Sequence, residues 1–204
     1  MVTRIAPPSL PPERPWPPQG QWTYDDYLRL PDDGQRYEII EGVLYVANAP
    51  SYEHQYTVSE LLGELRAFVK ARELGVVITA PFEVHLPGGL AKPVQPDVLF
   101  IAAAHQPQPG AQVFAGAPDL IVEVLSPSSA RLDKYVKFGI YERAGVREYW
   151  LADPKTRSVE IYSLPENGNE YVLLGQFGPG EKLRSGLLAE LDLLTDHLFA
   201  PRPA

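Results

Sequence analysis

Two short apolar segments, VQPDVLFIA at residues 94–102 and APDLIVEVLS at residues 117–126, decide the fold class of this chain. Each consists mainly of aliphatic and β-branched residues, as is typical of a strand that is covered on both faces of a sheet. Each also carries a carboxylate, Asp97 at the start of the first run and Glu123 within the second. Because an ionised carboxylate without a partner is expelled from an apolar interior, both residues require a compensating group.

The flanking sequence predicts one α/β (α+β) domain with a mixed β-sheet flanked by helices. Ser51 is a candidate N-cap for a long helix that Gly75 terminates, and Ser128 or Ser129 caps a second helix through about Ala144. The remaining expected elements are a short helix at 23–30, a hairpin at 36–47 that reverses at Glu41-Gly42, strands at 76–86, 147–154 and 159–164, an edge strand at 169–177 and a terminal helix at 185–199.

Proline dominates the start of the chain, and we expect residues 1–22 to form a proline-rich N-terminal arm ahead of a single domain at 23–204. The sequence leaves two alternatives for this arm. It is either a flexible tail, which composition favours, or a strap that lies on the domain through Trp16 and Trp22.

Composition limits the chemistry available to these 204 residues. The chain has no cysteine, which excludes disulfides, thiolate metal sites and a cysteine nucleophile, so a metal must use oxygen or histidine ligands. No segment is long and apolar enough to span a membrane and the N-terminal sequence lacks a signal-peptide pattern, so we expect a cytoplasmic protein. The formal net charge of −8, without a Lys/Arg cluster, predicts weak and salt-sensitive binding of nucleic acid unless a local patch or dimerisation concentrates the basic residues.

A third charged residue falls on an apolar helix face. Lys137 shares that face with Ile140 and Tyr141 and follows Asp133 by one helical turn. Together with Asp97 and Glu123 it predicts a functional site, because two neighbouring carboxylates repel one another unless a cation such as Mg²⁺ or Mn²⁺ lies between them. The alternative is a structural ion pair of Lys137 with Glu123 or with Asp133.

Two upstream residues are further candidates for the same site. Glu41 lies at the hairpin reversal, where an exposed turn carboxylate is the alternative. His54 lies in the first turn of the long helix, where a hydrogen-bonded core or capping histidine is the alternative. The sequence lacks the GxGxxG, GxxxxGK[ST], HExxH and GxSxG motifs, which removes the sequence basis for a nucleotide cradle, a zinc protease and a serine hydrolase.

These residues occur in a recognisable order along the chain. The matching series is YEIIEG, His54, QPDVLF, PDLIVEVLSPSS, Asp133, Lys137, Tyr141 and GVREYWLADP. From about Thr23 to Tyr162 the sequence resembles the Uma-type family of restriction-endonuclease-like proteins. That family is assigned to the PD-(D/E)XK nuclease superfamily, so the resemblance implies a mixed sheet flanked by helices and divalent-metal-dependent cleavage of phosphodiester bonds.

The resemblance carries over residue by residue, with one departure. Asp97 corresponds to the aspartate of the superfamily's PD, and Glu123 corresponds to its second acidic residue. Leu125 stands where the usual pattern has lysine, so the resemblance implies a displaced lysine on the following helix. Lys137 is the candidate for that lysine, and Lys134 is the runner-up.

Two further residues match positions of the family. Glu41 matches an acidic position of the family's hairpin, and His54 matches its helix-start histidine. The resemblance then implies Mg²⁺ or Mn²⁺ held by Asp97 and Glu123 with Glu41 or the Val124 carbonyl as a further ligand. Lys137 would orient the attacking water or stabilise charge on the phosphate, and His54 would assist by a hydrogen bond or proton transfer.

The expected function is therefore that of a metal-dependent endonuclease acting on DNA. Two alternatives remain open at this point: a non-catalytic interaction module that keeps the nuclease fold, with Glu123 and Lys137 as a buried ion pair, and a phosphodiesterase that acts on RNA. A homodimer is expected from the general frequency of two-fold assemblies and from the need to engage two strands.

Overall fold

A six-stranded mixed sheet forms the centre of the protein, which is described here from a computed structural model over residues 15–201. The helices are α1 (Tyr24–Tyr27), α2 (Tyr52–Ala71) and α3 (Phe138–Ala144), and a π-helical turn at Leu132–Lys137 leads directly into α3. The strands are β1 (Arg36–Ile40), β2 (Val43–Ala47), β3 (Gly75–Thr79), β4 (Glu83–His85), β5 (Val98–Ala102), β6 (Val113–Ala115), β7 (Leu120–Val124), β8 (Glu148–Asp153), β9 (Ser158–Ser163) and β10 (Val172–Phe177).

The order of strands in the central sheet is β10-β9-β8-β7-β5-β3. Only β7 and β8 run parallel, and the π-helical turn and α3 connect them. All the other neighbours in the sheet are antiparallel. Two smaller pairs flank this sheet, the antiparallel β1–β2 hairpin and the parallel pair of β4 with β6. The mixed sheet and flanking helices confirm the predicted fold class.

Both faces of the central sheet are covered, as the two apolar segments predicted. Alternate side chains of β5 and β7, such as Leu99 and Ile121, pack on the face that meets Ile140 and Tyr141 of the α3 region. The intervening side chains pack on the opposite face, where Leu61 and Leu65 of α2 meet the sheet. Because side chains alternate with a period of two, Asp97 and Glu123 both belong to the face that looks toward α3.

The long helix α2 confirms its predicted start. The Ser51 hydroxyl accepts the backbone N–H of His54 at 3.3 Å, which is the contact expected of an N-cap. The helix ends at Ala71, before Gly75, so the expectation that Gly75 terminates it is wrong. Gly75 instead opens β3 with φ of +148° and lies so close to the Ile101 carbonyl that a side chain would collide with it.

The helix after Glu123 differs from the expected one in its first turns. Residues 132–137 form a π-helical turn in which the Phe138 N–H donates to the Asp133 carbonyl, and regular α-helix follows from Phe138. The helical run begins at Ala130, directly after the predicted cap Ser129, and in the turn before it the Ser126 hydroxyl accepts the Ser129 N–H at 3.1 Å. Gly145 ends the helix with φ of +85°, as the sequence predicted.

The predicted hairpin is confirmed, and it holds the described part of the N-terminal arm. Glu41 and Gly42 make the reversal with φ of 49° and 74°. The backbone N–H groups of Gly20 and Trp22 donate to the Gly42 carbonyl at 2.8 and 2.9 Å, and Trp16 stacks on Trp22 with ring centroids 5.3 Å apart. Residues 15–22 therefore lie on the domain as a strap, while residues 1–14 of the predicted arm fall outside the described residues.

Two further segments differ from expectation. The strand expected at 76–86 is divided into β3 and β4, and the terminal helix expected at 185–199 is wrong, since this segment holds only a 3₁₀ turn at Thr195–His197. The Glu148 carboxylate accepts the Leu187 N–H at 2.7 Å and the Ser185 hydroxyl at 2.8 Å, which fixes the start of this segment against β8. The edge strand β10 is confirmed. Within residues 15–201 no helix has the length and apolar character to cross a membrane.

Candidate active site

A cleft of about 1590 Å³ opens where the β1–β2 hairpin, the N-terminus of α2 and the π-helical turn meet one end of the central sheet. Asp97 directly precedes β5, and the pairing of Val98 with Val122 places it opposite Glu123 on β7. Directly opposed residues of an antiparallel pair project on the same face, so both carboxylates face the π-helical turn. Both residues line the cleft, yet each is nearly buried, with 4% exposure for Asp97 and 2% for Glu123.

Glu123 is held by donors from the π-helical turn and α3. The Lys137 ammonium lies 3.0 Å from Glu123 Oε1, and the Tyr141 hydroxyl donates to the same oxygen at 2.8 Å. Lys137 is itself buried, so the sequence-based expectation that it points inward is met. Both contacts fall on Oε1, and Oε2 is free of these two donors.

The Lys137 ammonium also bridges two other carboxylates. It lies 3.1 Å from Glu38 Oε2 and 3.8 Å from Asp133 Oδ1. Glu38 belongs to β1 and is 3% exposed. Sequence reasoning missed this residue, although the signal was present, since Glu38 lies between the buried residues Tyr37 and Ile39 just as Glu123 lies within its own apolar run.

Two candidate residues lie apart from this cluster. Glu41 does not line the cleft; it is half exposed at the hairpin reversal and pairs with Arg143 Nη1 at 2.8 Å. Glu38, three residues earlier on β1, is the hairpin carboxylate that the structure places beside Lys137. Lys134 points to Glu160 at 3.3 Å and is 37% exposed, so among the two lysines considered only Lys137 reaches Glu123.

Asp97 is surrounded by three donors of its own. Its Oδ2 accepts the backbone N–H of Val124 at 2.9 Å and lies 3.2 Å from Nε2 of His54. Its Oδ1 lies 3.5 Å from the Arg36 guanidinium. The first turn of α2 therefore brings His54 to Asp97, and the Val124 contact ties β7 to the residue that precedes β5.

The electrostatics of the cluster follow from burial and from an excess of carboxylates. Burial raises the pKa of Glu123 well above its usual range, and Asp97, Asp133 and Glu38 raise it further against the opposing effect of Lys137. Burial likewise raises the pKa of Asp133 to about 6. Burial alone would lower the pKa of Lys137, but the three carboxylates around it outweigh that effect and raise it, so the ammonium stays charged.

Asp97 and His54 shift each other's pKa in opposite directions. Burial favours the neutral acid in Asp97, but the hydrogen bond and charge of His54, with Arg36 and Lys137, outweigh it and lower the pKa of Asp97. Burial favours neutral imidazole in His54, but Asp97 outweighs it and raises the pKa of His54. The pair therefore favours an ionised carboxylate beside a protonated histidine.

The donor set fits a hard divalent cation in its chemistry. Asp97, Glu123 and Glu38 supply carboxylate oxygens, which Mg²⁺ and Mn²⁺ prefer, and the cluster has more carboxylates than cations to compensate them. Within residues 15–201 no group of three or more acidic or histidine side chains is already arranged to hold a metal ion. The carboxylates are instead held by Lys137, His54 and Arg36, so metal binding requires these contacts to be exchanged.

Most of the chain matches a known protein family. Residues 24–195 match the Uma2 family, which is described as a putative restriction endonuclease. The uncharacterized protein sll1609 of Synechocystis sp. is 41% identical over 68 residues, which is 33% of this chain and 38% of that protein. The chain thus matches well under half the length of that relative.

A solved structure shares the fold. The crystal structure of a putative nuclease belonging to DUF820 from Anabaena variabilis superposes with a TM-score of 0.73 and 24% identity, covering 87% of this chain and 97% of the other. At this level of identity the likeness shows the fold alone. The family match, by contrast, spans most of the chain, including Glu38, Asp97, Glu123 and Lys137. The chain belongs to the Uma2 family of restriction-endonuclease-like proteins.

Proposed function

We propose that the chain is a divalent-metal-dependent endonuclease that hydrolyses phosphodiester bonds in DNA. The observation that carries the proposal is the convergence of Asp97, Glu123 and Lys137 in one cleft, with the lysine 3.0 Å from Glu123. Two opposed carboxylates and a buried ammonium supply metal ligands and a cation for the phosphate. Membership of a nuclease family supports the reaction class.

Asp97 and Glu123 are the proposed metal ligands, with the Val124 carbonyl as a further oxygen. Glu38 replaces Glu41 in the hairpin position of this ligand set, because it is the hairpin carboxylate that meets Lys137. A bound Mg²⁺ or Mn²⁺ would polarise the phosphate and lower the pKa of a coordinated water. The Val124 N–H helps here by holding Asp97 Oδ2 at 2.9 Å from β7.

Lys137 is the proposed cationic catalytic residue. Because its pKa is raised, it stays protonated near neutral pH and cannot take a proton from water. Its ammonium can orient the attacking water or stabilise the charge that develops on the phosphoryl oxygens. The Tyr141 hydroxyl donates to Glu123 Oε1 and so fixes the orientation of that carboxylate.

His54 is proposed as the residue that orients Asp97. Its Nε2 lies 3.2 Å from Asp97 Oδ2, and its raised pKa favours the protonated form that donates to a carboxylate. This role requires no proton transfer to substrate. An orienting role can be distinguished from general-base catalysis with the His54→Gln variant. Glutamine retains an N–H donor for Asp97 but cannot accept a proton from water, so the variant should retain part of the activity only if His54 orients Asp97.

The cleft charge bears on how DNA would bind. Seven carboxylates and four Lys or Arg side chains line it, so bare DNA phosphates meet net negative charge. Divalent cations at the carboxylates, with Lys134 and Lys155 at the margin, would reduce this repulsion. A homodimer, if two chains act together, would supply one such cleft for each DNA strand.

One observation favours a second candidate, a non-catalytic module that keeps the nuclease fold. Lys137 already neutralises part of the acidic cluster through contacts with Glu38 and Glu123, as a structural ion pair would. In that case the carboxylates stabilise the fold through Lys137, and the cleft binds neither metal nor DNA.

Calorimetric titration of Mn²⁺ separates the two candidates. Wild type should bind Mn²⁺ and nick supercoiled plasmid, and the near-isosteric double variant Asp97→Asn with Glu123→Gln should do neither while remaining folded. Glu41→Gln is the matched acidic control and should behave as wild type. Absence of Mn²⁺ binding in wild type would overturn the proposal in favour of the module. RNA of the same sequence tests the substrate, and cleavage of RNA alone would overturn the assignment to DNA.

A further inference from the structure

Gln95 is a buried polar residue of the cleft that the proposed mechanism does not use. It directly precedes Pro96-Asp97, is 5% exposed and lines the cleft. Its backbone N–H donates to Glu38 Oε1 at 2.7 Å. Gln95 therefore lies beside both Asp97, through the chain, and Glu38, through this hydrogen bond.

The orientation of the Gln95 amide is fixed at its nitrogen. Nε2 donates to the Tyr37 carbonyl at 3.4 Å. Burial and Glu83 raise the pKa of the Tyr27 phenol, and a hydrogen bond with the Gln95 side chain lowers it in part. A hydrogen bond lowers the pKa of a phenol when the phenol oxygen accepts it, so this second neighbour also suits the N–H groups of the amide. Reversal of the amide would direct its oxygen at the Tyr37 carbonyl oxygen, which is unfavourable.

This orientation leaves the amide oxygen without a donor. Gln95 Oε1 is buried and has no hydrogen-bond partner among the described residues. A buried acceptor without a donor costs about 1–3 kcal/mol. Lys137 and Arg36, two cations of the acidic cluster, are directed at carboxylates.

We propose that Gln95 Oε1 is a neutral oxygen ligand of the divalent cation bound by Asp97 and Glu123. This inference rests on the proposed function and adds a residue to its metal site. Amide oxygens are ordinary ligands of hard divalent cations. An amide suits this position better than another carboxylate, because the cluster already has a surplus of buried negative charge and an amide adds an oxygen without adding to it.

Binding of Mn²⁺ to Gln95→Met tests the proposal without reference to activity. Methionine keeps the length and burial of the side chain but offers no oxygen. We expect this variant to bind Mn²⁺ roughly tenfold more weakly than wild type by calorimetry, since one ligand is lost. Gln112→Met is the matched control, because Gln112 also lines the cleft but is exposed, and its affinity should equal that of wild type.

A second measurement covers the case in which Gln95→Met does not fold. In wild type, addition of Mg²⁺ should shift the side-chain amide NMR signals of Gln95 and leave those of Gln112 unchanged. Equal Mn²⁺ affinity of Gln95→Met and wild type, or an unshifted Gln95 amide in metal-saturated wild type, would overturn this inference and leave the proposed function standing. Failure of wild type to bind Mn²⁺ at all would overturn both.

Discussion

The Lys137 ammonium lies 3.0 Å from Glu123 Oε1, although 14 residues separate them in the chain. In the usual superfamily pattern a lysine two residues after the acid would share its strand face, but Leu125 holds that position here and packs in the core. The π-helical turn at Leu132–Lys137 brings the ammonium back to the same carboxylate from the following helix. The charge is thus supplied from a second element, which makes this contact sensitive to how α3 packs on the sheet.

Removal of the Lys137 ammonium should cost both stability and activity. In Lys137→Met, Glu38 and Glu123 lose their buried cation, and breaking a buried pair typically destabilises a protein by about 3–5 kcal/mol. Loss of a group that stabilises developing charge typically lowers kcat by about 100-fold or more. Urea unfolding and plasmid nicking at saturating DNA measure the two effects.

Lys134→Met is the control for that variant, since Lys134 is one turn away and pairs with Glu160 at a partly exposed site. Lys134→Met should lower the free energy of unfolding by less than about 1 kcal/mol and should nick plasmid at the wild-type rate when DNA is saturating. If Lys134→Met abolished nicking while Lys137→Met did not, the displaced lysine would have been assigned to the wrong residue.

The hairpin offers a paired test of which carboxylate belongs to the site. Glu38→Gln should weaken Mn²⁺ binding by roughly tenfold, because a charged oxygen near Lys137 becomes neutral. Glu41→Gln should keep the Mn²⁺ affinity within about twofold of wild type and the free energy of unfolding within about 0.5 kcal/mol of wild type. The reason is that the Glu41 side chain is half exposed and forms its ion pair with Arg143, outside the cluster. If calorimetry showed that Glu41→Gln weakens Mn²⁺ binding more than Glu38→Gln does, Glu41 rather than Glu38 would be the hairpin carboxylate of the site.

Much of the fold could be predicted because its signals are local. The apolar runs of β5 and β7, the N-cap Ser51 and the Glu41-Gly42 reversal are each set by a few neighbouring residues. The same runs identified Asp97 and Glu123, since a carboxylate among aliphatic residues is visible in sequence. Lys137 was likewise visible as a charge on an apolar helix face, and the family resemblance added its role as the displaced lysine.

The features that were missed depend on distant contacts. The π-helical turn is fixed partly by the Tyr149 hydroxyl, which donates to the Asp133 carbonyl at 3.0 Å from a strand 16 residues away. In the segment expected to be a terminal helix, Ser185 and Leu187 instead donate to Glu148 of the distant strand β8. The apolar neighbours of Glu38 are visible in sequence, but the contact that selects Glu38 over Glu41 is with Lys137, 99 residues later in the chain.

The raised pKa of Asp133 predicts a pH dependence of stability with a definite sign. Its pKa in the folded state is about 6, mainly because of burial, against a usual value of 3.8. The folded state therefore binds this proton more tightly than the unfolded state, so Asp133 lowers stability as pH rises from about 4 to about 6 and the loss persists above that range. Asp133→Asn removes this ionisation.

Urea unfolding of wild type and Asp133→Asn between pH 4 and pH 7.5 measures that effect. The stability of the variant relative to wild type should increase with pH, by on the order of 1–3 kcal/mol. Asp192→Asn, which removes an exposed carboxylate that pairs with Lys182, serves as the control and should show a difference close to zero throughout. A relative stability of Asp133→Asn that stayed constant or fell with pH would contradict the assigned shift.

The basic residues at the cleft margin should govern affinity for DNA rather than for metal. Lys134 and Lys155 line the cleft, and Lys134 is partly exposed beside Glu160. Their replacement together by alanine should weaken DNA binding in the presence of Mg²⁺ and reduce the slope of log affinity against log salt by about 1–2, because each lysine releases about one counterion. Mn²⁺ affinity measured without DNA should not change. The double variant Lys70→Ala with Lys182→Ala carries the same charge change outside the cleft, so an equal loss of DNA affinity there would show that overall charge, and not this cleft, determines binding.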